Sequence, residues 1–163
     1  MNITPVQNNS QSFGMAFKLK GDGAKKLATF LEEVAPSTSK HVMEDLIKPI
    51  HPLKTNVIYD GQDVIVAGKK VSDKAPVAMP GTDYKDLQYL LGDDVYHVKY
   101  DVPKKQLIEV YKAHPLMQKL FNAKEIAKDM DVQAVNQAYQ AQMITKKQAS
   151  IEETAKKLQD LFG

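Results

Sequence analysis

The sequence predicts an α+β fold: a mainly antiparallel sheet of about four strands with helices, followed by a C-terminal third that is all helical. Two β-prone runs, residues 55–59 and 62–67, flank Asp60-Gly61, a strong short-range hairpin signature. Apolar side chains recur at every second position in Phe13, Met15, Phe17 and Leu19, and again in Tyr96, Val98, Tyr100 and Val102. After Pro103 this alternation gives way to spacings of three and four, the period of a helix with one apolar face.

In chain order, residues 1–11 are polar and rich in Asn, Gln and Ser, and are expected to form a mobile tail with nothing to bury. Residues 12–163 are expected to form a single α+β domain, with sheet and helices over 12–102 and a helical part over 103–163. The first strand ends at Gly21-Asp22-Gly23. Leu27, Phe30, Leu31 and Val34 then mark an amphipathic helix stopped by Pro36. A second helix should start under a Ser/Thr cap within residues 37–39, carry Val42, Leu46 and Ile47, and end before Pro49.

Beyond the hairpin, residues 68–81 are lysine-rich and punctuated by proline and read as a loop. Thr82 is placed to cap a short helix carrying Tyr84, Leu87, Leu90 and Leu91. Residues 95–102 read as a fourth strand, with His97 and Lys99 on the face opposite Tyr96 and Val98. Leu107, Ile108 and Tyr111 suggest one helix, and Leu116, Leu120 and Phe121 another beyond His114-Pro115. Asp129 or Asp131 could cap a third, with Val132, Val135, Tyr139 and Met143 on one stripe. Thr145 with Gln148 has capping-box form and restarts a helix carrying Ile151, Ala155, Leu158 and Phe162.

Composition sets limits on function. At 163 residues the chain can bury roughly 70% of its unfolded surface, enough for a real core. All 22 basic side chains are lysine, so the planar fork by which arginine grips phosphate or carboxylate is missing. Against 20 acidic side chains they leave a net charge of +2, too small a field to concentrate nucleic acid or an anionic membrane. Without cysteine there is no disulfide, thiolate nucleophile or cysteine-held metal. The expectation is a soluble, cytoplasmic protein that does not read nucleic-acid sequence and does not enter a membrane.

The opening Asn8-Asn9-Ser10-Gln11-Ser12-Phe13-Gly14-Met15-Ala16 resembles the start of many short uncharacterised gut-bacterial proteins, in which an Asn-rich tail leads into Ser-Phe-Gly-Met-Ala. The resemblance covers about nine residues of the 163 and implies a bacterial source and no activity, cofactor or partner. Such an opening would suit a sorting or processing tag. The residues themselves read more simply as the start of the first strand, because period-two alternation is the primary strand signal.

Motifs of chemistry are weak. Gly21-Asp22-Gly23 sits between strand and helix, where backbone N–H groups could hold a phosphate, but it lacks both nucleotide-binding spacings and Asp22 would repel the anion. A tight turn with Asp22 as helix cap is the ordinary reading. His41, His51, His97 and His114 are scattered without ligand spacing, so no metal site and no cofactor is expected. The nucleophile motif GxSxG is absent. Lysine pairs at 104–105, 146–147 and 156–157 lie among acidic residues and read as solvated surface, leaving residues 69–74 as the better anion candidate.

Two functional classes follow. The first is a non-catalytic protein-interaction or self-association domain, acting through the helical third at Tyr139, Met143, Ile151 and Leu158, with a protein partner or a second copy. The second is a small enzyme or ligand-binding protein whose site converges around the 69–84 loop and the 95–102 strand at His97, Lys99 and Tyr84. The first is preferred, because no reactive side chain stands beside a recognisable activator.

Overall fold

A computed structural model describes residues 15–163 and has the α+β class that the sequence predicts. The tail of residues 1–11 and the first-strand position Phe13 lie outside the described residues. The chain divides into two compact units, Met1–Met130 and Asp131–Gly163.

In the first unit the strands form two sheets. The first has the order β1 (Phe17–Leu19), β2 (Val57–Tyr59), β3 (Val64–Val66), β4 (Lys69–Lys70), with β1 parallel to β2 and the others antiparallel. The expected hairpin forms between β2 and β3. Asp60 caps its turn, its Oδ1 accepting the N–H groups of Gln62 at 2.8 Å and Asp63 at 2.7 Å. Those two N–H groups are the main reason the Asp60 carboxyl titrates below its ordinary range. In β2 and β3, Val57, Tyr59, Val64 and Val66 are buried at alternate positions.

The first strand is shorter than expected and its alternation holds only at Phe17, which packs partly against the core. Ala16 is buried while Met15 and Leu19 are exposed, because the Ala16 N–H and C=O are taken by His51 O and Val57 N, which fixes its side chain inward. The crossover from β1 to β2 carries α1 (Gly23–Glu33), α2 (Pro36–His41) and a π-helical stretch over Val42–Ile47. Pro36 occupies the first turn of α2 and Ala35 its N-cap, in place of the expected Ser/Thr cap. Asp22 does hold the N-cap position of α1, without a side-chain hydrogen bond. Gly23 is there because a Cβ would run into the Tyr59 carbonyl oxygen.

The second sheet is antiparallel: β5 (Val77–Ala78), β6 (Asp86–Leu91) and β7 (Asp94–Lys99). The expected helix over Tyr84–Leu91 is therefore a strand. Leu87 and Leu91 satisfy a helical spacing, yet Leu87, Tyr89 and Leu91 also alternate, and a six-residue ladder with β7 exploits the alternation. The ladder closes on a two-residue turn whose first residue, Gly92, has φ +61°. A bridge between Val71 and Leu91 links the two sheets, and the expected 68–81 loop contributes β4 and β5 to them.

After a short 3-10 turn at Lys105–Ile108, a single helix, α3, runs Pro115–Phe162. The expected separate helices are one, because no glycine or proline interrupts residues 116–162 and Thr145 bonds back to Ala141 O at 3.0 Å inside the helix. In its first part Met117, Leu120, Phe121, Ala123, Ile126 and Ala127 are buried and complete the core.

Candidate functional site

The candidate ligand site at His97, Lys99 and Tyr84 is not assembled into a cleft. β7 does put His97 and Lys99 on the exposed face, opposite buried Val98. His97 Nε2 lies 3.0 Å from Asp86 Oδ1 on the neighbouring strand. That contact is an ion-pair approach rather than a well-angled hydrogen bond, since the same oxygen has no hydrogen-bond partner. Tyr84 is half-buried with φ +61°, and the Lys105 ammonium stands 5.7 Å from its ring centre. In the lysine segment, Lys69 pairs with Asp94 and Lys70 Nζ lies 3.4 Å from Asp63. Each of these charges is already answered by an acidic neighbour, which weakens the segment as an anion trap.

Polar groups do converge where β6 and β7 face α3. The Tyr89 and Tyr100 hydroxyls are 2.8 Å apart, Tyr100 donates to Glu125 Oε1 at 2.9 Å, and Tyr96 donates to Asp129 Oδ2 at 2.7 Å. Burial pushes all three phenols above their ordinary range, helped at Tyr96 by Asp129 and at Tyr100 by Tyr89 and Glu125. Lys124 sits 3.6 Å from Glu125, and burial lowers its ammonium below the usual lysine range. Farther along, Asn122 Nδ2 donates to Ser72 O at 2.9 Å and Lys74 O at 2.8 Å, and its Oδ1 accepts from Gln118. Phenols that hold their protons so firmly are poor acids or bases at neutral pH. These contacts tie the sheet and the 72–74 segment to the helix.

A second cluster joins His41 to both sides: Nδ1 is 2.7 Å from Asp45 Oδ2 and Nε2 is 2.8 Å from the Tyr111 hydroxyl. The order carboxylate, imidazole, hydroxyl matches a nucleophile relay. Tyr111, however, is buried against Phe121 and stacked with His41, and burial raises its pKa. At 6% exposure the Tyr111 side chain is largely shut off from solvent. The cluster clamps the residue 111 turn onto the π-helical stretch. Among the described residues no group of His, Asp and Glu is arranged to hold a metal ion.

What remains is the second unit. Every residue from Val132 to Gly163 is exposed, including Val135 at 65%, Tyr139 at 61%, Ile144 at 62%, Ile151 at 52% and Leu158 at 53%. The four candidate partner residues share this exposure but not one face. Val132, Val135, Tyr139 and Met143 form one stripe, while Ile144, Ile151, Ala155, Leu158 and Phe162 form another, about a third of a turn away at 3.6 residues per turn. The second stripe extends through Ala134, Gln137, Ala141, Ile144, Gln148, Ile151, Ala155, Leu158 and Phe162, with strictly alternating steps of three and four. That seven-residue repeat was present in the sequence and marks a seam for another helix.

No family model, curated protein or solved structure matches this chain. Among the described residues no helix is long and apolar enough to cross a membrane.

Proposed function

We propose that this chain is a non-catalytic protein-interaction domain whose working surface is the exposed apolar face of α3 beyond Met130. The observation that carries this reading is the run of large apolar side chains, 47–83% exposed, on residues 132–162. Apolar exposure repeated along a helix costs free energy in water and suits a surface that another molecule covers. Stepping of three and four makes an α-helix the natural cover. The cytoplasm is the proposed compartment, where a chain without cysteine folds with nothing to oxidise, and the opening-segment resemblance supports a bacterial source.

The test is retention on an immobilised full chain of proteins from an extract of the source cells, with a differently tagged copy of the chain added. Wild type should retain a companion, and Ile151→Asp combined with Leu158→Asp should lose it while keeping its circular dichroism spectrum. Equal retention by both proteins would overturn the reading.

A further inference from the structure

We propose that the heptad face of α3 over residues 134–151 is covered by the same face of a second copy of this chain, the two helices running antiparallel and centred between Gln142 and Met143. This names the occupant of the surface described above and rests on that reading.

The orientation follows from side-chain size. Within residues 134–151 one row of the seam is small, with Ala134 and Ala141 before Gln148; the other is large, with Ile144 and Ile151 beyond Gln137. A parallel, in-register pair would stack alanine on alanine and isoleucine on isoleucine, leaving voids at every alanine level, which close-packed interiors do not tolerate. An antiparallel pair sets each small residue opposite a large one. Ala134 then meets Ile151 and Ala141 meets Ile144.

The register follows from the two glutamines. Centred between Gln142 and Met143, Gln137 of one copy faces Gln148 of the other, and the two primary amides can donate to and accept from each other. Sliding the copies by one heptad sets Gln148 against Ile144 or Gln137 against Ala141, leaving an amide without a partner in an apolar seam.

Net charge does not oppose a second copy. In residues 131–163, Asp131, Glu152, Glu153 and Asp160 balance Lys146, Lys147, Lys156 and Lys157. At the rim, a parallel pair would bring Lys147 toward Glu152, and the antiparallel pair brings Glu152 toward Asp131. Rim charges are solvated and screened, so the seam decides the orientation.

Because the chain has no cysteine, single-cysteine variants report the geometry cleanly. Ala141→Cys and Ile144→Cys, made in the full chain with tags of different mass, are oxidised separately and mixed. Both positions are exposed, and unchanged circular dichroism confirms folding. The expected result is a mixed disulfide in large excess over either homodimer, together with wild-type mass rising to twice that of one chain across a concentration series. Efficient self-cross-linking of Ile144→Cys without enrichment in the mixture would overturn the antiparallel arrangement. A wild-type chain that stays monomeric, with no cross-link, would overturn the second copy; the interaction reading then stands if the extract still supplies a companion and falls with it if none is retained.

Discussion

Along α3, Met117, Leu120, Phe121 and Ile126 are at most 5% exposed, whereas Ile144, Ile151 and Leu158 are 52–62% exposed. The exposed set sits at spacings that place it on one side of the helix, whereas the buried set is spread around it, with Ile126 half a turn from Met117. In the first set, the elements that cover them belong to the same compact unit, and Tyr96 and Tyr100 add hydrogen bonds to Asp129 and Glu125 on the same helix. In the second, no residue between Val132 and Gly163 is buried. Helical periodicity therefore identifies a face and is silent about what covers it. The difference lies in the repeat: the exposed part holds to seven residues, the period that lets two helices stay in register along a shared seam.

The sharpest way to break this contrast is to shorten one leucine from each region. Leu120→Ala, at 0% exposure, should cost about 2–5 kcal/mol of unfolding free energy by chemical denaturation. Next in size, Gly23→Ala should cost about 1–3 kcal/mol, because the new methyl group meets the backbone carbonyl of Tyr59 rather than a side chain that can move aside. Asn122→Ala should cost about 1–3 kcal/mol, since it removes the donor to Ser72 O and Lys74 O. At the small end, Leu158→Ala, at 53% exposure, should stay within about 0.5 kcal/mol for the monomeric chain. Equal costs for Leu120→Ala and Leu158→Ala would erase the distinction between the two regions.

Titration sharpens the same contrast. Tyr89, Tyr96 and Tyr100 are raised above the ordinary tyrosine value of 10.0, chiefly by burial. The unfolded chain then releases these protons before the folded one does, so their contribution is intact below about pH 10 and is lost as pH climbs toward the folded-state values. Denaturation midpoints should fall steeply in alkali, and less steeply in Tyr89→Phe.

Where one signal acted alone, the sequence was legible. Asp60-Gly61 between β-branched runs led to the β2–β3 hairpin, and Val42, Leu46 and Ile47 were correctly assigned to a buried helical face. Errors arose where two periodicities overlapped, as at Leu87 and Leu91, which fit a helix and a strand until the partner strand selected one. Ala16 was missed because a hydrogen-bonding partner from residue 51 set the strand's phase, a contact no local pattern carries. Caps at Asp129, Asp131 and Thr145 were over-read, since such residues end helices only when the chain around them turns. The candidate site divides in the same way. Tyr139, Met143, Ile151 and Leu158 were picked out by spacing as candidates and are exposed, whereas the links from Tyr96 and Tyr100 to Asp129 and Glu125 join positions 25–33 residues apart and have no sequence signature.

The most direct test of a covered heptad face is amide hydrogen exchange on the full chain at low and high protein concentration. Protection over residues 134–151 should rise with concentration while amides of the buried strands β2, β3 and β6 exchange at unchanged rates. Protection of 134–151 that is the same at every concentration, in a chain that remains monomeric, would contradict a seam shared between two copies.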